Sequence, residues 1–436
     1  MHMTRSSGIL LHPTSLPGPY ATGTLGKEAY RFADMLAQAG QKLWQVLPLY
    51  PTGFGDSPYQ ALSAFAGNPI FISPEILADQ GLIELKDAGY PKINPQTRVD
   101  FRNAEKFIQP LLLKAFKKFN DNNGTIDQKY FKRFCAKNTY WLDDFALYMA
   151  LKEHFGLMPW TAWHADIRMR KPAAMAYYKN VLEFRIRYHR FVQFLFSEQW
   201  MALKKYANSK SISIIGDNPI FVAHDSADVW AHRELFDLDG KGFPKHVAGF
   251  PPDGFSPTGQ LWGNPLYNWK KHRETNYKWW IDNIRMSLEQ TDYVRIDHFI
   301  GFTRYWSIPY GETTAENGKW LKGPGMEFFS ALKKHLRPLN LIAEDLGIMT
   351  EEAALIMKKM KLPGMKLLHF AFDGNPQNNF HPDNFSAENV VYTGTHDNDT
   401  TRGWFAKLSK ARKNIVQKES LLSDKNTEYY FANRNK

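Results

Sequence analysis

The chain has 436 residues, with 55 Lys and Arg against 44 Asp and Glu, a formal charge of +11, and one cysteine, Cys135. A single thiol excludes an internal disulfide framework, and no apolar run approaches a membrane span or a signal peptide, which predicts a cytoplasmic protein with no membrane partner. The basic residues are scattered and match no nucleic-acid motif, so a solvated basic surface is expected and no nucleic acid is expected as a partner.

In chain order, two short apolar strand-like runs come first, at 8–12 and 43–49. A long insertion, 74–210, follows, in which 104–119, 141–155 and 178–206 show apolar residues at three- and four-residue spacing and predict amphipathic helices. A third strand is expected at 213–219. An excursion rich in Gly, Pro and Trp, 224–270, reads as loops beside a site. Four more strands are expected at 293–299, 341–346, 365–372 and 390–395. Near-continuous apolar strands alternating with helices imply a parallel sheet covered on both faces. Seven such units predict a single α/β domain over 1–436, a (β/α)8 TIM barrel whose site lies at the C-terminal strand ends. The tail, 406–436, is basic; a helix is expected over 408–422, and no eighth strand is apparent.

Three of these strands end in acids: Val-Arg-Ile-Asp-His-Phe (294–299), Ile-Ala-Glu-Asp-Leu-Gly (342–347) and Thr-Gly-Thr-His-Asp-Asn-Asp (393–399). Acids delivered from separate strand ends suit cleavage of a glycosidic bond. One attacks the sugar carbon, one shuttles a proton, and another stabilises the distorted ring. Side chains alternate along a strand, so Arg295 shares a face with Asp297 and favours its ionised, nucleophilic form. Alternation also separates Glu344 from Asp345, and Glu is the better proton shuttle. In the third motif Asp397 follows His396, a donor to a sugar hydroxyl, and Asp399 competes with Asp397.

Other motifs dissolve on inspection. Asp-Leu-Asp-Gly-Lys-Gly-Phe (237–243) starts like a calcium loop, but Lys241 and Ala248 stand at ligand positions, so a polar turn is expected. Gly26-Lys27 lacks the first glycine of a phosphate loop. The histidines have no metal-ligand spacing. No metal or other cofactor is expected.

With the acidic motifs, several blocks resemble the amylomaltases, the 4-α-glucanotransferases of glycoside hydrolase family 77. They include Gly-Ile-Leu-Leu-His-Pro-Thr-Ser-Leu-Pro-Gly-Pro-Tyr (8–20), Gly-Asp-Ser-Pro-Tyr-Gln (55–60), Asp-Ser-Ala-Asp-Val-Trp-Ala (225–231) and Gly-Gln-Leu-Trp-Gly-Asn-Pro-Leu-Tyr (259–267). The resemblance implies transfer of α-1,4-glucan segments between malto-oligosaccharides by a retaining double displacement. It implies Asp297 as nucleophile, Glu344 as acid/base and Asp397 as the residue gripping the distorted sugar. It further implies that Arg295, His396 and Asp217 hold the sugar at the cleaved position, and that Tyr59, Asp253, Gln260 and Trp262 contact neighbouring sugars.

Two departures from the family pattern stand out. Gly254 follows Pro-Pro-Asp where an aromatic is common, which predicts a looser lid over 249–262 and a larger share of hydrolysis. The Gln-Asp loop and Asn-x-Pro-Gly segment expected beyond Trp404 are not found. The alternatives are therefore an α-glucan hydrolase using the same acids and an inactive α-glucan-binding protein.

Overall fold

The computed structural model describes residues 5–87, 98–121, 126–254, 256–347 and 349–420. In chain order its strands are β1 (Gly8–Leu10), β2 (Leu43–Gln45), β3 (Ser213–Asn218), β4 (His246–Phe250), β5 (Gln260–Pro265), β6 (Tyr293–Ile296), β7 (Arg304–Pro309), β8 (Lys319–Lys322), β9 (Leu341–Ala343), β10 (Gly364–Leu367) and β11 (Asn389–Tyr392). Every strand expected from the sequence is present, shortened to between three and six residues. Two compact units emerge. The larger is Ser6–Arg295 with Gly301–Asn340, and the smaller is built on Ile296–Ile300 and the described residues from Leu341 onward.

In the larger unit β1, β2 and β3 pair in parallel, with Ile9 beside Trp44 and Trp44 beside Ile214. The first residues of β6 follow β3. Trp44, Ile214 and Val294 are fully buried, as expected of a sheet covered on both faces. A Cβ on Gly8 would lie 2.3 Å from the Leu43 carbonyl, so only glycine lets β1 approach β2 this closely. Against this sheet packs a core that includes Phe71, Phe116 and Trp200, drawn largely from the helical insertion.

The insertion contains the helices Phe101–Asn120, Gln128–Lys137, Thr139–His154, Pro172–Val181 and Glu183–Ser209. Asp100 and Asp127 cap the first two through their carboxylates. Two differences from the sequence reading have local causes. The helix Gln128–Lys137 was not expected; it is short and polar in composition, and fully buries only Phe131. The segment 178–206 is not one helix, because Leu182, at φ −106° and ψ 13°, divides it. Residues 88–97 and 122–125 of the insertion lie outside the described residues.

The excursion 224–270 is not made of loops alone. It holds β4 and β5, which join β7 and β8 in an antiparallel sheet of order β5-β4-β7-β8. Glycine and proline disguise these strands in the sequence. Gly249 is required because a Cβ there would sit 2.2 Å from the Gln260 carbonyl. The calcium-like stretch is the expected polar turn: the Asp239 carboxylate accepts from the Lys241 and Phe243 amides.

In the smaller unit the Glu344 N–H donates to the Ile296 carbonyl and the Ala343 N–H to the Pro363 carbonyl. β10 then pairs in parallel with β11, from Gly364 beside Asn389 to Leu367 beside Tyr392. Ala371, Phe372, Phe405 and Val416 form this unit's own core. Among the described residues no strand follows β11. The chain continues as the helices Thr401–Lys407 and Lys410–Glu419, and the rest of the basic tail, 421–436, lies outside the described residues. No helix among the described residues is long and apolar enough to cross a membrane.

Candidate active site

The C-terminal end of β3 delivers Asp217, whose side chain is fully buried and accepts two bonds from Arg295 Nη1, at 2.7 and 2.8 Å. Tyr59 donates its hydroxyl to Oδ2 of the same carboxylate at 2.7 Å. Three residues expected at the cleaved sugar and its neighbour thus form one hydrogen-bonded cluster in the larger unit. Burial of the Asp217–Arg295 ion pair holds this cluster together, because a carboxylate or guanidinium left alone there would be heavily penalised.

The other sugar-contact candidates of this unit lie on the β4–β5 hairpin. The Asp253 carboxylate accepts from the Ser256 amide at 2.8 Å, and Ser256 Oγ donates to the Gly259 carbonyl, so the hairpin tip is internally braced. Gln260 is exposed, and its Oε1 accepts from Trp262 Nε1 at 3.0 Å. Two residues that the sequence reading did not single out complete this region. Gln60 Nε2 donates to the Trp262 carbonyl and to Asn264 Oδ1, at 3.1 and 3.0 Å. Both lie inside the quoted family blocks, but nothing in a single sequence pairs position 60 with position 264.

The smaller unit carries the acids. Asp297 is half-buried and leads into His298, which adopts the left-handed conformation at φ 45°. Such a backbone costs energy for a residue with a side chain and is often found at functional sites. Here it coincides with a contact: the His298 N–H donates to Glu344 Oε2 at 2.6 Å, while the Phe299 N–H donates to the Glu344 carbonyl. The acid/base candidate is therefore bonded to the residue that follows the nucleophile candidate.

Asp345 is differently placed. Its Oδ1 accepts from the Met365 N–H at 2.6 Å, and its carboxylate lies where a Cβ on Gly364 would be. Burial raises its pKa, against the pull of the Met365 amide. It serves as a strand-to-strand fastener beside Glu344.

Asp397 is exposed, with His396 Nε2 3.4 Å from its Oδ1. Asp399 is bound by Lys407 at 2.6 Å, and this contact, ahead of burial's opposing effect, lowers its pKa. That pairing leaves Asp399 engaged, while Asp397 is the more exposed candidate of the two. The loop is braced by Thr395, whose amide and hydroxyl both donate to Asn398 Oδ1. A cavity of about 180 Å³ in the larger unit, walled by Phe65, Trp141 and Trp279, includes none of the residues expected at the site.

The sequence matches the model of the 4-alpha-glucanotransferases, glycoside hydrolase family 77, over residues 11–433. The chain belongs to the 4-alpha-glucanotransferase family. It is 49% identical to the 4-alpha-glucanotransferase of Synechocystis over 93% of this chain and 81% of that protein. It is 48% identical to that of Thermus thermophilus, over 93% and 81% of the two chains. Among solved structures, the amylomaltase from Streptococcus agalactiae in complex with acarbose is 41% identical with a TM-score of 0.92, covering 97% of this chain and 85% of that one. The amylomaltase from Corynebacterium glutamicum, 18% identical with a TM-score of 0.74, shares the fold. The α/β class with parallel strands read from the sequence is the class of this 4-alpha-glucanotransferase fold.

Proposed function

We propose that this chain transfers α-1,4-glucan segments between malto-oligosaccharides by a retaining double displacement on Asp297, Glu344 and Asp397. Asp297 attacks the anomeric carbon, and the Glu344 carboxylic acid protonates the departing glycosidic oxygen. Glu344, now a carboxylate, then takes the proton from the 4-hydroxyl of an incoming glucan, which attacks the glycosyl-enzyme and releases Asp297. Asp397, His396, Asp217 and Arg295 are the proposed contacts of the distorted sugar, and Tyr59 that of a neighbouring one. Asp253, Gln260 and Trp262 on the hairpin receive neighbouring sugars. The proposed setting is the cytoplasm.

The observation that carries this reading is the bond from the His298 amide to Glu344 Oε2. It fixes the Glu344 carboxylate beside the chain segment bearing Asp297, and a retaining mechanism uses two carboxyl groups close together. Transfer, not hydrolysis, is favoured by the family relationship and depends on an acceptor hydroxyl outcompeting water.

Incubation of the purified chain with maltotriose tests the reading. Glucose together with maltopentaose and longer chains is the expected outcome, lost on Asp297→Asn. Glucose and maltose alone would identify a hydrolase, and binding without turnover would identify a binding protein.

A further inference from the structure

The loop that presents His396 and Asp397 rests on a histidine that the mechanism above does not use. His369 follows β10, is 5% exposed, and donates its backbone N–H to the Thr393 carbonyl at 3.1 Å, at the end of β11. Its ring lies flat on Trp404, with centroids 4.6 Å apart and planes 6° apart. Nε2 is 3.1 Å from Thr401 Oγ1. On the other edge, a Cβ built on Gly394 would be 2.6 Å from Cε1 and 2.7 Å from Nδ1, so the ring presses directly on the Gly394 backbone. Nδ1 is buried and has no hydrogen-bond partner among the described residues. One ring thus spans the start of the loop and the helix that follows it.

We propose that His369 is a positioning residue for the reaction, and that its uncharged ring props the loop carrying His396 and Asp397. This rests on the role proposed above for Asp397. A second ring proton would be placed at Nδ1, against Gly394 and facing no acceptor. Solvating it requires the Gly394 backbone to move, and His396 and Asp397 lie two and three residues further along the same turn. The remaining charge whose field reaches the ring is Asp399, which favours the protonated form but is itself held by Lys407. Burial outweighs it and keeps the ring below the ordinary histidine range. The neutral prop is therefore the state at neutral pH, and acidification withdraws it.

The test compares the parent chain, His369→Gln, His369→Ala and Asp397→Asn in maltotriose disproportionation from about pH 4.5 to about pH 8, the range in which histidine titrates. Far-ultraviolet circular dichroism and thermal midpoints verify the fold of each. His369→Gln keeps a planar donor and cannot titrate. It is expected to retain most of the parent kcat at neutral pH and to shift or lose the acidic inflection of kcat. His369→Ala is expected to lower kcat by about 10- to 100-fold, the scale of a small misplacement of a catalytic group, with a much smaller change in KM. A folded His369→Ala with the parent kcat would overturn the proposal, as would an unchanged acidic inflection in His369→Gln. Full activity of Asp397→Asn would instead remove the catalytic role on which it rests.

Discussion

Glu344 Oε2 lies 2.6 Å from the backbone nitrogen of His298, and that residue holds a left-handed φ of 45° directly after Asp297. The strained backbone aims an amide at the proposed proton shuttle. When Glu344 is ionised, the amide stabilises it. When Glu344 is protonated, its second oxygen can carry the proton towards a leaving group.

The first prediction separates two adjacent acids. Glu344→Gln keeps the His298 bond but has no proton to give, so transfer is expected to fall by about 10²- to 10⁴-fold, the usual range for general acid–base catalysis. Oligosaccharide binding, followed by calorimetry, is retained. Asp345→Asn is expected to lower the thermal midpoint while leaving most of kcat, because its role is to hold Met365. Greater loss of kcat in Asp345→Asn than in Glu344→Gln would reverse the assignment.

A second prediction concerns the buried pair Asp217–Arg295. Replacing Arg295 by Met leaves the Asp217 carboxylate buried with only Tyr59 as a named partner. A stability loss of about 3–5 kcal/mol is expected from such an uncompensated charge, measured by denaturant unfolding. Tyr59→Phe removes one neutral donor and is expected to cost about 1–3 kcal/mol, with a larger effect on glucan affinity than on folding.

The hairpin tip offers a gain-of-function experiment. A Cβ on Gly254 meets nothing within 4 Å and no positive φ opposes it, so the backbone accepts a side chain there. Gly254→Phe is expected to raise the ratio of transfer to hydrolysis by giving an acceptor sugar an aromatic face. Free glucose released per oligosaccharide elongated is the quantity to compare, and an unchanged ratio would separate the tip from acceptor binding.

A pH prediction rests on His272. It is fully buried among Tyr267, Trp269 and Trp279, and burial lowers its pKa to about 3, only partly offset by the Leu235 backbone and reinforced by His232. The unfolded chain binds this proton near the ordinary histidine value of about 6.5. The resulting stability is fully present above that value and is lost as pH falls towards about 3. Urea midpoints taken across this window should decline, and the slope should flatten by about one proton in His272→Phe. An unchanged slope would show that the buried ring is not the group responsible.

The sequence carried a great deal of this because the strands are short, apolar and end in chemistry. Ile-Ala-Glu-Asp and Val-Arg-Ile-Asp disclose both the strand and what it delivers. Long amphipathic stretches such as Phe101–Asn120 disclose helices equally well. Long-range pairing stayed hidden. That Tyr59 and Arg295 share Asp217, and that Gln60 reaches Asn264, depends on contacts between distant positions that no local periodicity encodes. Backbone conformation stayed hidden too: nothing in Asp-His-Phe announces a left-handed His298. β4 and β5 were obscured because Gly249, Gly263 and Pro265 interrupt the apolar pattern while the strands tolerate them at a bulged register.

Cys135 is half-buried, and burial pushes its thiol up to about 11, well above the range in which a thiolate reacts readily. The native chain is therefore close to a thiol-silent background for chemical labelling. A cysteine introduced at the open position 254 would be the preferred target of a maleimide spin label or fluorophore. Hairpin motion during glucan turnover is then accessible to spectroscopy without first rebuilding the protein.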